Sequence, residues 1–345
     1  MKVCIFGAGA IGGFLAVQLA KSGAELSLVA RGAHLEAMRA NGVRLLIDGE
    51  ERVARVRCTD NPATLGSQDC VIVTLKAQQI SAAAASIASL LHRDSFIVTA
   101  YNGLPYWFFA GARVTLAGAK LRGVDPDGRQ ARFLGPELAI GCVVLPATEV
   151  IAPGVIRHDS GFTFPIGEPG GEHTARLSRL HEMFVAGGLK APIRDDIRDE
   201  IWLKLWGNLC LNPISALTHA TLDALTSDPG ARALARAMML EAQAIGERLG
   251  LRLRVDVERR LDAAGAVGAH KMSMLQDLER GREMEIEPLV GVVQELGRLT
   301  GVPTPTLDNV LALIRLRAQV AMNERERGDP PLDAAIAAAP TRGVR

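Results

Sequence analysis

A glycine-rich turn near the start of the chain constrains the fold more than any other feature of the sequence. Residues 2–6 form an apolar run typical of a buried strand, and residues 10–21 have the spacing of an amphipathic helix. The turn between them has the pattern G-x-G-x-x-G and consists of Gly7, Ala8, Gly9, Ala10, Ile11 and Gly12. Such glycines allow a tight turn, a close approach to a pyrophosphate and close packing of helix on strand. The sequence therefore predicts a dinucleotide-binding βαβ unit rather than a signal peptide.

Strand-like and helix-like segments alternate through the first hundred residues. Strands are predicted at 25–29, 70–75 and 96–100, a hairpin at 43–58 and a helix at 80–91. This alternation predicts an α/β fold with a Rossmann-type, doubly wound parallel sheet. Residues 111–167 contain short β-like runs between glycines and prolines, which predict antiparallel edge strands and hairpins that extend the first domain.

Beyond Pro192 the predicted elements are all helical. A length of 345 residues is also what two domains require. We therefore expect an NADP-binding Rossmann-type domain at residues 1–190, an all-helical substrate domain at 191–325 and a loose C-terminal tail at 326–345.

Composition excludes several classes of function. The chain has 39 Lys and Arg against 38 Asp and Glu, a balance that gives no reason to expect nucleic acid or a membrane as a partner. Its five cysteines include no C-x-x-C pair, so neither a metal site nor a disulfide framework is expected. The cysteine pattern favours reduced thiols and a cytoplasmic protein. Whether the predicted helical second domain forms a homodimer is left open by the sequence.

Three polar residues follow predicted strands, at the sheet edge where open α/β folds bind ligands. Arg31 stands where enzymes that use NAD usually carry an acidic residue. A cation there favours the 2′-phosphate of NADPH, although it could be an ordinary solvated arginine. Lys76 and Asn102 follow the next two strands. Lys76 could equally be solvated, and Asn102 with Gly103 could be a turn.

A polar stripe follows one side of an otherwise apolar predicted helix, residues 197–211. Lys204 and Asn208 are four residues apart, and Asn212 continues the line, although Pro213 indicates a kink or a helix end there. Reduction of a ketone leaves negative charge on oxygen, and a lysine can supply the proton, which an arginine cannot. The alternative is a stripe that simply faces solvent.

A second group of polar residues lies about eighty positions further along. Ser273 opens the motif S-M-L-Q-D, and Glu285 lies in the joint between two predicted helices. Ser273 with Gln276 also fits a capping box for a helix at residues 274–280. Glu285 could instead be a solvated acid at a helix N-terminus.

Taken together, these motifs resemble those of the ketopantoate reductase (2-dehydropantoate 2-reductase) family over nearly the whole chain, to about residue 325. The resemblance implies a Rossmann domain joined to a helical domain, with NADPH and a 2-oxo acid as ligands. It implies that Lys204 is the general acid and that Glu285 is an acid near the substrate hydroxyl and the cofactor. It further implies substrate contacts by Asn208, Asn212 and Ser273, and cofactor contacts by Lys76 and Asn102.

The segment 104–132 departs from compact members of that family. It contains the run LPYWFF and a polar stretch, and it is interpreted as an added hairpin or flap that could reshape the substrate pocket. Hydrophobic packing is the alternative for Trp107, Phe108 and Phe109. The segment leaves open a paralogue that reduces another bulky 2-oxo acid, and a non-catalytic NADP(H) sensor is a further alternative.

Hydride transfer requires the two reacting carbons to come within roughly 3–3.5 Å of each other. The motifs for cofactor and for substrate lie in different predicted domains. We therefore expect Lys204, Asn208, Ser273 and Glu285 to converge with the strand-end residues at a cleft between those domains.

Overall fold

The structure, a computed structural model, describes residues 1–111 and 115–327 of the chain. The chain divides into two units, Met1–Trp202 and Leu203–Arg345, and the division falls inside a long helix. The strands of the first unit are β1 (Lys2–Phe6), β2 (Glu25–Val29), β3 (Val43–Ile47), β4 (Glu50–Ala54), β5 (Arg57–Thr59), β6 (Gln68–Val73), β7 (Leu91–Thr99), β8 (Ala139–Cys142), β9 (Ala147–Ala152), β10 (Val155–Ser160) and β11 (Ile166–Gly167). Its helices are α1 (Ala10–Leu19), α2 (Gly32–Asn41), α3 (Ala77–Ala88), α4 (Arg129–Leu134) and α5 (Ala175–Ala186).

The main sheet of the first unit has seven strands in the order β11-β8-β7-β6-β1-β2-β5. All neighbouring pairs are parallel except β11 with β8. Phe6, the last residue of β1, pairs with Val29 of β2 and Val73 of β6, and Val73 pairs with Thr99 of β7. The carboxyl ends of these four strands therefore coincide, and the predicted Rossmann-type α/β class is confirmed.

Side chains on β1 alternate between two cores because successive residues of a strand face opposite sides of the sheet. Val3 and Ile5 pack with α1, α2 and α5, whereas Cys4 and Phe6 pack with α3 and α4. All four are at most 6% exposed. Burial on both faces explains why the strand is a continuous apolar run.

The hairpin predicted at 43–58 is present as β3 and β4, but it belongs to a second, four-stranded sheet of order β4-β3-β10-β9. Of the strands predicted within 111–167, β11 is an antiparallel edge strand of the main sheet, and β9 and β10 form an antiparallel hairpin that belongs to the second sheet. The prediction of an antiparallel strand is wrong for β8, which is parallel to β7. The second sheet packs on α1, where Gly13 leaves the space that Ile156 fills. Such a pairing depends on contacts between distant residues and has no local signal.

The aromatic run after β7 is part of the core. Trp107 and Phe108 are fully buried, and Phe109 is 4% exposed. The Trp107 indole donates a hydrogen bond of 3.1 Å to Oγ1 of Thr99, and the Arg198 guanidinium lies over the Trp107 ring at 5.6 Å. Hydrophobic packing, the alternative weighed for these three aromatics, is confirmed.

The stretch that follows is not a hairpin in the residues that the structure describes. Turns lead into α4, and residues 112–114 lie outside the described residues. Asp125 Oδ1 accepts hydrogen bonds from the Ser81 hydroxyl at 3.1 Å and from the backbone N–H of Gln130 at 3.0 Å. The side-chain Nε2 of Gln130 donates to Oγ of Ser81 at 3.2 Å. The polar residues predicted to form a flap thus anchor the segment to α3.

The second unit is helical throughout its described residues. Its elements are α6 (Ile197–Thr218, which begins in the first unit), α7 (Leu222–Ser227), α8 (Pro229–Arg248), α9 (Val257–Gly265), α10 (Ser273–Glu279), a π-helical turn (Glu287–Gly291), α11 (Val292–Thr300) and α12 (Pro305–Glu326). The predicted boundary at residue 190/191 stays a prediction, and most of the predicted tail, residues 328–345, lies outside the described residues. In the part of the chain that is described, no helix combines the length and the apolar character that a membrane span needs.

Candidate active site

The glycine turn forms a cradle between β1 and α1. Gly7 has φ of 118°, a conformation that side chains disfavour. A methyl group on Gly12 would lie 2.7 Å from Oγ1 of Thr74 and would also collide with the carbonyl oxygen of Gly7. A methyl group on Gly9, by contrast, would have no atom within 4 Å, and Gly9 is exposed at the start of the helix. The close packing beneath the turn and the open space above it fit a dinucleotide pyrophosphate at the N-terminus of α1.

The remaining residues of the turn continue it into the helix. Ala8 is buried, whereas Ala10 and Ile11 form the half-exposed first turn of α1. Backbone N–H groups at the start of a helix have no partner within the helix, so they are available to an anion.

Two residues that the sequence analysis missed hold the turn in place. The Thr74 hydroxyl donates a 2.6 Å hydrogen bond to the carbonyl of Gly7. His34 accepts from the amide of Gly154 at Nδ1, 2.8 Å, so its Nε2 carries the proton that is donated to the carbonyl of Ala8, 2.5 Å. Burial lowers the pKa of His34 and thereby favours this neutral form. No local pattern indicates either contact, because the partners are far apart in sequence.

The strand-end residues lie where they were predicted. Arg31 follows β2 and is the exposed residue before α2, and within the described ranges its side chain has no hydrogen bond or ion pair. Lys76 is the residue before α3, and Asn102 follows β7 next to Gly103, whose φ is 87°. Because the carboxyl ends of β1, β2, β6 and β7 coincide, all three residues share one edge of the sheet with the glycine turn. Their roles as cofactor contacts stay predictions.

The polar stripe lies on α6 in the second unit. Lys204 and Asn208 are half-buried, and Asn212 is completely buried. Both amide atoms of Asn212 lack a hydrogen-bond partner. A solvent-facing stripe is therefore wrong for Asn212, and a buried amide without partners is costly unless a ligand or water satisfies it. Of the kink and the helix end that Pro213 indicated, the helix end is wrong, since α6 continues to Thr218.

The capping box predicted at Ser273 is absent. Ser273 is the exposed first residue of α10, and the residue that caps the helix is Met272. Gln276 donates its side-chain N–H to the carbonyl of Lys271 at 3.0 Å instead of closing the box. The Ser273 hydroxyl is thus not used as a helix cap, and its role as a substrate contact stays a prediction.

Glu285 is buried, with 7% of its surface exposed, so the alternative of a solvated acid is wrong. The chain from α10 to Glu285 is held by an ion pair of 3.2 Å between Asp277 and Arg282, which the sequence analysis missed. Leu289 in the π-helical turn donates its amide to the Glu285 carbonyl at 3.3 Å. Such turns are common at functional sites.

Comparison with known proteins identifies relatives along most of the chain. The family model described as "Ketopantoate reductase PanE/ApbA" matches residues 3–116, and the one for the "C terminal" part matches residues 196–318. A 2-dehydropantoate 2-reductase from Mesorhizobium japonicum is 58% identical over 316 residues, which cover 91% of this chain and 97% of the relative.

Solved structures show the same architecture. A structure from Ralstonia solanacearum that is assigned to the ketopantoate reductases is 42% identical, with a TM-score of 0.88 over 92% of this chain and 98% of that one. D-mandelate dehydrogenase in a ternary structure with NADH and anilino(oxo)acetate has a TM-score of 0.81 over 93% and 99% of the two chains. It is 20% identical, which shows a shared fold alone.

Proposed function

Because the chain belongs to the ketopantoate reductase family, we propose that it reduces 2-dehydropantoate to pantoate with NADPH. The observation that carries the proposal is the 58% identity, over nearly the full length of both chains, to a 2-dehydropantoate 2-reductase. The geometry of the two units supports it, since the first has a dinucleotide cradle and the second has a lysine, two asparagines and a buried glutamate.

The cofactor belongs to the first unit in this proposal. The turn of residues 7–12 holds the pyrophosphate, and Arg31 holds the 2′-phosphate that distinguishes NADPH from NADH. Lys76 and Asn102, at the same edge of the sheet, bind the cofactor further along its length. When bound, NADPH supplies a hydride to the carbonyl carbon of the substrate.

Lys204 supplies the proton that the same reaction needs. As negative charge develops on the carbonyl oxygen, the Lys204 ammonium donates a proton from Nζ and leaves a hydroxyl group. Glu285, buried two residues before the π-helical turn, accepts a hydrogen bond from the substrate hydroxyl or holds the Lys204 ammonium.

The asparagines and Ser273 position the substrate. The buried Asn212 amide has one donor group and one acceptor group to satisfy, and a substrate with hydroxyl and carbonyl groups offers both kinds of partner. Asn208 lies one helical turn before it, and Ser273 offers an exposed hydroxyl at the start of α10.

A steady-state screen of NADPH oxidation tests the proposal. The wild-type chain should oxidise NADPH with 2-dehydropantoate faster than with other bulky 2-oxo acids, and Lys204→Ala should lower kcat by about 10²–10⁴ while cofactor affinity is kept. Lys271→Ala, at a lysine that pairs with Glu279 at 2.6 Å on the surface, is the matched control and should keep kcat. Preference for another 2-oxo acid, or full turnover by Lys204→Ala, would contradict the assignment.

The aromatic run 104–109 no longer favours a different substrate, because Trp107, Phe108 and Phe109 are packed in the core. The cytoplasm is the proposed location, and all five cysteines are free thiols, as a reducing compartment requires. We also propose that the chain forms a homodimer, and its mass in solution, measured by sedimentation or light scattering, tests this.

A further inference from the structure

Segment 104–132, which has no role in the proposed function, forms most of a pocket of about 760 Å³ in the first unit. Tyr106, Phe109 and Leu121 are among its apolar lining residues. Phe109 and Leu121 are each 4% exposed, so these walls belong to the packed part of the molecule. None of the described lining residues is among those proposed to contact cofactor or substrate. The pocket therefore uses a separate set of residues, and its volume is typical of a small-molecule site.

Hydrogen bonds fix the walls of this pocket. The amide of Gly118 donates to the carbonyl of Phe109 at 2.7 Å, and both residues line the pocket. Asp125, a further lining residue, accepts from the Ser81 hydroxyl on α3 at 3.1 Å and from the backbone N–H of Ala131 at 3.0 Å. The walls are thus tied to one another and to α3, as expected for a preformed site.

The charged residues of the pocket leave an excess of positive charge. Five charged residues line it: Lys120, Arg122, Asp125, Asp127 and Arg132. The two carboxylates are used within the segment, Asp125 by the hydrogen bonds to Ser81 and Ala131, and Asp127 by an ion pair of 3.8 Å with Arg129. In the part of the chain that the structure describes, Lys120 and Arg132 have no carboxylate partner. Both side chains are exposed, so they are accessible to an anion.

This combination of apolar walls and accessible cations fits a ligand with an apolar body and a single acidic group. A carboxylate can accept parallel N–H groups from the Arg132 guanidinium and a charge-assisted hydrogen bond from the Lys120 ammonium. Transfer of the apolar body from water to the walls at Phe109 and Leu121 adds the hydrophobic contribution.

We propose that this pocket binds an apolar carboxylic acid. Lys120 and Arg132 bind the carboxylate, and Tyr106, Phe109 and Leu121 contact the apolar body. The site goes beyond the proposed function, because its occupation requires no reaction and none of the residues assigned to the chemistry.

Isothermal titration calorimetry of the full chain with 2-naphthoate, an aromatic carboxylate, tests the proposal in the presence of saturating NADPH. We expect a Kd of about 1 mM or lower, which is ordinary for a ligand of this size. The alcohol 2-naphthalenemethanol keeps the aromatic body and lacks the charge, so it should bind at least about tenfold more weakly. Added pantoate should leave the Kd for 2-naphthoate unchanged, because its proposed place is the candidate active site.

Variants locate the site. Lys120→Met/Arg132→Met should raise the Kd for 2-naphthoate by about ten- to a hundredfold and leave kcat/KM for 2-dehydropantoate unchanged. Lys21→Met/Arg93→Met removes the same charge from exposed positions outside the pocket, and this matched control should bind like the wild type. Ala131→Phe, at an exposed lining position on α4, should block binding by filling the pocket. It is the second test if the double variant does not fold.

Several results would overturn the proposal. They are no binding of 2-naphthoate at millimolar concentrations, displacement of 2-naphthoate by pantoate, and equal affinity for the acid and the alcohol. Unchanged affinity in Lys120→Met/Arg132→Met or in Ala131→Phe would also overturn it, since the ligand would then lie elsewhere. Loss of 2-naphthoate binding with turnover of 2-dehydropantoate intact is the expected result.

Discussion

Arg31 is the residue on which cofactor choice depends in this protein. Its side chain is exposed at the end of β2, and in the described ranges no carboxylate neutralises it. Arg31→Ala should therefore lower the ratio of kcat/KM for NADPH over NADH by about ten- to a hundredfold, since a charge-assisted contact contributes about 1.5–3 kcal/mol. Arg39→Ala, on the helix that follows Arg31 but paired with Glu36 at 3.4 Å, should leave the ratio unchanged. A wild-type chain that uses NADH equally well would contradict the role given to Arg31.

The second prediction at the scale of single residues concerns Glu285. Because the carboxylate is buried, its replacement by the neutral amide in Glu285→Gln removes a charge that water cannot replace. We expect kcat or substrate affinity to fall by about tenfold or more, with a melting temperature close to that of the wild type. Glu283→Gln, two residues earlier and exposed, is the control. Unchanged kinetics in Glu285→Gln would remove this carboxylate from the site.

At the scale of elements, the packing of α1 on the sheet depends on Gly12. A methyl group there would collide with the Gly7 carbonyl and with Thr74, so Gly12→Ala should lower the free energy of unfolding by about 1–3 kcal/mol and weaken dinucleotide binding. Gly9→Ala has free space around the new methyl group and a φ of −68°, and it should leave the stability nearly unchanged. Denaturant unfolding without cofactor measures both. Equal stability losses would contradict the close packing inferred at Gly12.

At the scale of the whole molecule, the reactivity of the cysteine thiols shows which parts of the chain are buried. Burial raises the pKa of Cys4 to about 12 and also raises the pKa of Cys70 and Cys210, while Cys142 is buried as well. A thiol reacts through its thiolate, so these four should react with a disulfide reagent only after unfolding. Half-buried Cys58 should react first in the native protein. Thiol counts with and without denaturant, and a Cys58→Ser control, measure this; several fast native thiols would contradict it.

Features that depend on neighbours in sequence could be predicted without the structure. The glycine turn and the parallel sheet follow from local spacing and from strands that are apolar on both faces. The helix of Lys204 follows from side chains at four-residue intervals. Local conformational preference and burial of one face act within a few residues, so their signal is present in the sequence.

Features that depend on residues far apart in the chain required the tertiary structure. The pairing of β10 with β3, the His34 bridge from Ala8 to Gly154 and the complete burial of Asn212 have no local pattern. At Ser273 and Pro213 packing overrides local preference. The capping box that the local pattern predicts at Ser273 and the helix end that it allows at Pro213 are both absent. Burial and hydrogen bonding between distant segments contribute more free energy than such preferences, and they arise once the chain has folded.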